Sequence, residues 1–300
     1  MADMMGTALV RRHIGRTFEA MRLRRGLTQD QAGREIQRSR GTISRIEEGH
    51  SAVRFRDSDV ALMLDLYEAT DSERDLLTAL TAETRNGAKK SWWHDYTDTD
   101  LPEQMRLFYV LEDAAATICQ YEPELIPGLL QTRRYARVMM TTPAGYATEE
   151  EAQRRTQLRM DRQSVLTRPR APQLSVVLNE AAIRRPMGGA DVMAEQLEHV
   201  LEFAARGNIT IRIVPFSVGE HAGAVVSAFS LMDFPDLPGT AGPLEPPVVF
   251  VDTLTGAMYL NKPDEVSAYR LVWQDLIDRA STPDESLDLI RKALEEYRNG

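Results

Sequence analysis

The sequence predicts two domains of different class: an all-α N-terminal head of five helices, then an α+β domain with a mixed sheet of about five strands and flanking helices. Apolar residues recur three and four positions apart from residue 8 to residue 85, a spacing typical of helices. Short β-branched runs bounded by Pro, Gly or Asn begin only at residue 174, and they are typical of strands. A length of 300 residues allows two domains.

The predicted boundary between the domains is polar and then aromatic. Residues 86–91, Asn-Gly-Ala-Lys-Lys-Ser, have the composition of a linker. The aromatic run that follows at 92–96 can form a ligand cage or can pack at the domain junction. We therefore place the head at 1–85, the linker at 86–100 and the C-terminal domain at 101–300.

Composition indicates an ordinary globular protein, with 43% apolar and 27% charged residues. The single cysteine, Cys119, cannot form an internal disulfide, which fits a reducing compartment. The N-terminus lacks the residue order of a signal peptide, and no apolar run reaches the length of a membrane span. We expect a cytoplasmic protein that makes no membrane contact.

The net charge of −9 is unevenly divided along the chain. Residues 1–56 contain twelve Arg and six acidic residues, a net charge of +6, so the remainder carries −15. A basic head gains free energy by releasing counterions from nucleic-acid phosphates, while an acidic body is repelled by them. The alternative is that the acidic composition serves only solubility.

Two short helices stand at the centre of the head. Thr28 is a good N-cap for a helix to about Ile36, and Ser39 can cap a second helix that ends at Gly49. One helix precedes this pair, over about 8–25, and two follow it, beginning near residues 57 and 71 and ending near residue 85. Two short helices joined by a tight turn form a helix-turn-helix, whose second helix enters the major groove of DNA.

The second helix has the side chains that this task requires. Ile43 and Ile46 lie three positions apart on one inward face, and the outward residues are Arg40, Thr42, Ser44 and Arg45. Arg can donate two hydrogen bonds to guanine, and Ser or Thr can contact bases. A small helical hairpin with a solvated polar face has the same periodicity and remains the alternative.

Residues 27–29, Leu-Thr-Gln, and 43–49, Ile-Ser-Arg-Ile-Glu-Glu-Gly, resemble the phage-repressor and Cro type of helix-turn-helix, the xenobiotic-response-element family. The resemblance implies a structural role for Glu47 and DNA contacts for Gln29, Arg38, Ser39, Arg40, Thr42, Ser44 and Arg45. The sequence departs from the family pattern at two places: Ala32-Gly33 replaces the usual Leu-Ala pair, and Gln37 replaces the usual turn glycine.

Arg54 lies in a basic loop of small residues that follows the second helix. Its side chain can reach the phosphate backbone, although a plain solvated loop is an equally good interpretation. We include Arg54 among the predicted DNA-binding residues.

In the C-terminal domain, the pattern predicts a helix over about 102–118 and a second helix that follows the turn-rich segment 121–132 and ends at residue 140. Further helices are predicted over 148–167, 190–206, 264–280 and 283–297. The predicted strands are 174–178, 209–214, 228–232, 248–251 and 257–260. Arg154, Arg155, Arg159 and Arg162 can form a nucleic-acid stripe, a solvated face or an intramolecular pairing surface.

Several C-terminal motifs, among them 111–115 (Leu-Glu-Asp-Ala-Ala), 127–132 (Pro-Gly-Leu-Leu-Gln-Thr) and 214–216 (Val-Pro-Phe), resemble the C-terminal domain of large helix-turn-helix regulators common in actinobacteria. Some of these regulators resemble antitoxins, and family members often occur beside a small acidic partner protein. The resemblance does not imply what this domain senses.

The chain has no Gly-rich phosphate loop, HExxH pair, CxxC pair or GxSxG elbow, so we expect no enzyme, metal or cofactor. Glu180, Arg184 and His221 can line a ligand pocket near strand ends. Alternatively, they are a satisfied strand-end carboxylate, a surface arginine and a loop histidine.

Together these observations predict a sequence-specific DNA-binding transcriptional regulator with a C-terminal effector- or partner-binding domain. A single head offers few base contacts, so we expect a homodimer on a palindromic operator. The rival hypothesis is an antitoxin-like scaffold that binds a small acidic partner protein and autoregulates its own operon.

Overall fold

The computed structural model describes residues 7–50, 52–85, 103–142, 147–236, 243, 245–253 and 256–299. The predicted linker, 86–100, lies outside these ranges. The chain divides into two compact units. The first comprises Met1–Ser91 together with Phe234–Pro246, and the second comprises Trp92–Asp233 and Pro247–Gly300. Residues 234–246, which the sequence analysis assigned to the C-terminal domain, therefore belong with the head.

The first unit is the predicted five-helix head. Its helices are α1 (Thr7–Arg24), α2 (Gln29–Glu35), α3 (Arg40–Glu47), α4 (Asp57–Leu66) and α5 (Asp71–Arg85). The helices meet around fully buried apolar side chains, which include Ile14, Phe18, Ile43, Met63 and Leu77. These side chains come from α1, α3, α4 and α5. One core therefore holds α3 in place, and with it the helix pair α2–α3.

Capping residues set the limits of α2 and α3. Thr28 forms a capping box with Gln31, and the Ser39 hydroxyl accepts a hydrogen bond from the backbone N–H of Thr42. Gln37 lies in the turn between the two helices with a φ of 56°, the left-handed conformation for which glycine is the usual residue. Gln37 therefore adopts a turn conformation that a glycine would adopt without a steric cost.

Gly33 allows α2 to contact the turn that follows it. A Cβ atom at this position would lie 2.7 Å from the backbone oxygen of Arg38. The same approach lets the backbone N–H of Arg38 donate to the Gly33 oxygen at 2.7 Å. The Ala-Gly pair in α2 is thus explained by a backbone contact that leaves no space for a side chain.

The second unit contains six strands and seven helices in its described residues. The strands are β1 (Thr117–Glu122), β2 (Gln173–Asn179), β3 (Ile209–Val214), β4 (Phe229–Asp233), β5 (Val248–Thr253) and β6 (Gly256–Leu260). The helices are α6 (Glu103–Ala114), α7 (Arg133–Met140), α8 (Glu149–Arg162), α9 (Ala181–Arg184), α10 (Ala190–Ala204), α11 (Pro263–Arg279) and α12 (Pro283–Asn299). All five predicted strands are present.

The strand order is β3-β2-β1-β4-β5-β6. Strands β1, β2 and β3 are parallel, whereas β4 is antiparallel to β1, and β5 and β6 continue the antiparallel half. The sheet is therefore mixed, as the sequence predicts. Strand β1 lies at the junction of its parallel and antiparallel halves.

The helix predicted over 102–118 is present, but its predicted end was wrong. The helix ends at Ala114, and residues 117–122 form β1 in the middle of the sheet. Alanines at 114–116 continue the apolar spacing of α6 and hide the boundary. Pairing with β2 on one side and β4 on the other makes the segment a strand, and neither neighbour is close in sequence.

The two faces of the sheet differ in polarity. One face forms an apolar core with α11 and includes Tyr121, Phe229, Leu231, Val249 and Leu276. Side chains alternate along a strand, so residues 120, 122, 230, 250 and 252 belong to the opposite face. That second face carries polar groups and borders a cavity. None of the helices that the structure describes has the length and apolar composition needed to cross a membrane.

Candidate nucleic-acid interface and candidate ligand pocket

A buried ion pair anchors the end of α3 to α1. Arg22 Nε donates to Glu47 Oε1 at 2.6 Å, and Arg22 Nη2 donates to Glu47 Oε2 at 2.9 Å. Both residues are at least 94% buried. Gln29 at the start of α2 donates to the same carboxylate at 2.8 Å, and Arg22 also donates to the Leu27 backbone oxygen. Glu47 therefore joins three helices, and its hydrogen bonds raise the pKa of Arg22.

Three predicted DNA-binding arginines are exposed. Arg40 and Arg54 form no hydrogen bond or ion pair with any other residue that the structure describes. Arg45 uses its Nε to donate to the Gly41 backbone oxygen at 3.1 Å and keeps its terminal nitrogens exposed. These guanidinium groups are available to phosphates or base edges.

The other predicted contacts already have partners within the head. Ser39 caps α3, and its hydroxyl also lies 3.0 Å from that of Thr42. Ser44 donates to Glu48, and Gln29 donates to Glu47. Arg38 makes two hydrogen bonds to Asp59, at 2.7 and 3.2 Å from Nη2 and Nε.

These partners place the eight residues in three groups. The terminal nitrogens of the exposed arginines can contact DNA without any existing contact being broken. Gln29, Arg38 and Ser44 would have to share or exchange a hydrogen-bond partner. Ser39 and Thr42 already stabilise the first turn of α3. Sequence spacing brings all eight to the same part of the head but does not distinguish these roles.

Glu180, Arg184 and His221 are engaged in local contacts. Glu180 accepts hydrogen bonds from Arg184 Nε at 3.1 Å and from the backbone N–H of Phe216 at 2.9 Å. Arg184 also pairs with Glu296. The His221 Nε2 atom lies 3.4 Å from the side-chain nitrogen of Asn179. No hydrogen bond joins Glu180 to His221 within the described residues, and none of the three predicted ligand residues lines the cavity described next.

A cavity of about 310 Å³ lies over the polar face of the sheet. Its walls come from α6, α8, the connection from β1 to α7, and strands β1, β4 and β5. Gln120 and Glu122 on β1, Ser230 on β4 and Asp252 on β5 contribute polar groups. The cavity therefore spans the position where the parallel and antiparallel halves of the sheet meet.

Burial changes the acidity of the groups around this cavity. It raises the pKa of Glu122 to about 7, although Gln120 donates a hydrogen bond to its carboxylate at 2.9 Å. Burial also raises the pKa of Asp252 and lowers that of Arg159. Perturbed carboxylates in a cavity mark a candidate functional site.

Two arginines of α8 enclose the cavity and have intramolecular partners. Arg162 forms a buried, bidentate ion pair with Glu112, and its guanidinium carbon lies 4.9 Å from the centre of the Phe108 ring. Arg159 donates to Gln131 at 2.8 Å. Of the interpretations offered for the α8 arginines, intramolecular pairing describes these two.

This cavity was not predicted from the sequence. Glu122, Ser230 and Asp252 lie far apart in sequence, and the strand that carries Glu122 was not recognised. The available signal was the alternation of polar residues at 120 and 122 within an otherwise apolar segment. Within the described ranges, His, Cys, Asp and Glu side chains form no group of three that could hold a metal ion.

Comparisons with known proteins assign a family model to each unit. The model described as a domain of unknown function, DUF5753, matches residues 105–292, which is more than half of the chain. The model described as a helix-turn-helix domain matches residues 13–77. No curated protein and no solved structure matches the chain.

Proposed function

Because the chain belongs to the DUF5753 family and carries a helix-turn-helix domain before that domain, we propose that it is a sequence-specific transcriptional regulator. The observation that carries the proposal is the state of α3. Arg40 and Arg45 are exposed on this helix, while Glu47 at its end is buried against Arg22 and Gln29. A rigidly held helix with exposed arginines suits base recognition in the major groove.

The proposed regulator acts as a homodimer in the cytoplasm and resembles the xenobiotic-response-element type. One α3 helix reads only a few base pairs, so a second copy is needed for useful selectivity among genomic sites. Two-fold pairing would match a palindromic operator with half-sites about 10 bp apart, or a multiple of this spacing.

The C-terminal unit is proposed to sense a small molecule. The cavity on its sheet supports this role because it brings polar groups from three strands together in one concave volume. Ser230 and Asp252 on its wall belong to β4 and β5, and the chain between these two strands contributes residues 234–246 to the first unit. Within that unit, Glu245 is completely buried and forms ion pairs with Arg12 and Arg16 of α1.

This covalent connection gives the proposal a mechanism. A ligand that favours one arrangement of β4 and β5 would also favour one position of the segment between them. It would therefore strengthen or weaken the ion pairs between Glu245 and α1. Helix α1 also carries Arg22, which anchors α3 through Glu47. Ligand binding can alter DNA affinity only to the extent that it binds two such arrangements with different affinities.

The experiment is selection of bound fragments from the source genome by the full-length protein at about 150 mM salt, where nonspecific binding is weak. The wild type is compared with Arg40→Ala/Arg45→Ala. We expect the wild type to enrich a palindrome and the variant to lose it, since each arginine contributes about 1–3 kcal/mol at one base position.

The control is Arg133→Ala/Arg291→Ala, which removes the same charge from exposed helix positions of the second unit. It should enrich the same sequence as the wild type. If the double α3 variant also retains the palindrome, the assignment of α3 to base recognition is refuted. If the wild type enriches no sequence, the antitoxin-like scaffold with a small partner protein becomes the better hypothesis, and co-purification with that partner would test it.

A further inference from the structure

The register of three strands places two carboxylates on either side of a gap. Tyr121 pairs with Phe229, and Ser230 pairs with Phe250. Glu122 on β1, Ala228 and Asp252 on β5 lie one or two positions beyond these pairs, and all three line the cavity. Strand β4 lies between β1 and β5, which sets about 10 Å between the backbones of the two acidic residues. Ala228 has only a methyl side chain and leaves room for a ligand beside them.

The cavity contains polar groups whose bonding capacity the described residues do not use. Ser230 is 96% buried, lines the cavity, and makes no side-chain hydrogen bond to any described residue. Glu122 has one hydrogen bond, from Gln120, and forms no ion pair with any residue in the described part of the chain. A half-buried carboxylate with so little compensation would gain from a cationic partner.

The nearby cations of the protein are held by other groups. Arg162 is locked to Glu112, and Arg159 is directed to Gln131. Both still lower the pKa of Glu122, but the effect of burial is larger. Arg159 also lowers the pKa of Asp252, so its charge acts on both carboxylates, although it forms an ion pair with neither. A bound cation between Glu122 and Asp252 would supply the direct ionic contact that both carboxylates lack among the described residues.

The remaining walls suit an apolar body. Phe108 and Phe250 have their ring centres 4.2 Å apart, and Met139 also borders the cavity. Aromatic faces attract cations as well as apolar groups. The volume of about 310 Å³ is at the small end for ligand pockets, so it fits a small metabolite better than a peptide or a nucleotide.

We propose that this cavity binds a small organic cation, a primary amine on an apolar body, with its ammonium group held by Glu122 and Asp252. The Ser230 hydroxyl accepts a further hydrogen bond from the ligand, and the body lies against Phe108 and Phe250. The proposal deepens the sensing role proposed for the C-terminal unit and rests on it for its regulatory meaning.

The test uses three probes of the same shape and different charge: phenethylamine, phenethyl alcohol and phenylpropionate. Isothermal titration calorimetry measures their binding to the full-length protein without DNA. We expect phenethylamine to bind, and the neutral and anionic probes to bind at least about tenfold more weakly, since a hydrogen-bonded charge contributes about one factor of ten or more in affinity.

Glu122→Gln preserves the shape of the side chain and removes its charge, so it should weaken phenethylamine binding about tenfold or more. Asp252→Asn tests the second carboxylate of the cavity and should also weaken binding. The control is Glu124→Gln, which removes an equal charge at an exposed site outside the cavity and should leave the affinity unchanged.

Failure of phenethylamine to bind, or tighter binding of phenylpropionate, would overturn the amine site. So would full affinity in both Glu122→Gln and Asp252→Asn. These outcomes are independent of the genomic selection, which uses no amine. If the protein selects a palindrome but does not bind phenethylamine, only the amine-site proposal is refuted. If it binds phenethylamine but selects no DNA sequence, only the proposal that it is a regulator is refuted.

Discussion

Arg22 and Glu47 are joined by two hydrogen bonds of 2.6 and 2.9 Å in the interior of the head, 25 positions apart in the sequence. Glu47→Ala would leave the Arg22 guanidinium buried without its carboxylate. We expect a loss of about 3–5 kcal/mol in the free energy of unfolding of the head. Urea denaturation of the full chain, followed by far-UV circular dichroism, measures the loss.

The double substitution Arg22→Met/Glu47→Leu separates the cost of an unpaired charge from the value of the pair. Both charges are removed and the volume is approximately kept, so the double variant should be more stable than Glu47→Ala. If the double variant is the less stable of the two, the pair itself stabilises the head by more than this account allows.

Gln37 holds a left-handed backbone conformation that costs a residue with a side chain about 1–2 kcal/mol. Gln37→Gly removes this cost but adds flexibility to the unfolded chain, so we expect a net gain of about 0.5–1 kcal/mol. Gln37→Val should be destabilising, because a β-branched side chain is poorly tolerated at positive φ. Thermal unfolding of the three proteins provides the comparison, and an equal melting temperature for Gly and Val would contradict it.

Two glycines of the helix-turn-helix predict opposite effects of one substitution. A Cβ at Gly33 would lie 2.7 Å from the Arg38 backbone oxygen, whereas a Cβ at Gly41 would have its nearest neighbour at 3.9 Å. Gly33→Ala should cost about 1–3 kcal/mol through overpacking. Gly41→Ala should be neutral or stabilise by up to about 1 kcal/mol through helix propensity. Chemical denaturation tests both, and a tolerated Gly33→Ala would mean that α2 can move away from the turn.

The carboxyl group of Glu122 predicts a pH dependence of stability. Burial raises its pKa from 4.5 to about 7, so between these values the folded protein retains a proton that the unfolded chain releases. The contribution of Glu122 to stability is therefore greatest at low pH and is lost as the pH rises through 7.

Glu122→Gln removes this titration and keeps the surrounding Arg159, Arg162 and Asp252. The melting temperature of the wild type relative to Glu122→Gln should fall as the pH is raised from about 5 to about 8. The difference between the two proteins isolates Glu122, because the other groups titrate in both. A constant difference would show that the pKa of Glu122 is not raised.

Local sequence signals were sufficient to predict the five helices of the head. Its caps, Thr28 and Ser39, and the apolar spacing of Ile43 and Ile46 lie within a few residues of the helices that they specify. In the C-terminal unit, β-branched runs similarly revealed five of the six strands. The missing strand, β1, depends on pairing with β2 and β4, which is information that a local pattern does not contain.

The candidate sites divide in the same way. Exposed Arg40 and Arg45 follow from the periodicity of one helix, so the sequence was able to nominate them. The partner of Arg38, Asp59, and the association of Glu122 with Ser230 and Asp252 arise from tertiary contacts. Glu180 and Arg184, which are four positions apart, contact each other and nearby groups.

The contribution of residues 234–246 to the first unit has a consequence for synthesis of the chain. The ribosome completes α1 to α5 long before it reaches Glu245, the buried partner of Arg12 and Arg16. At ordinary rates of elongation, the interval from residue 91 to residue 246 is roughly 8–30 s. A nascent head therefore lacks one of its internal carboxylates until most of the second unit has been translated, and a fragment that stops at residue 91 never acquires it.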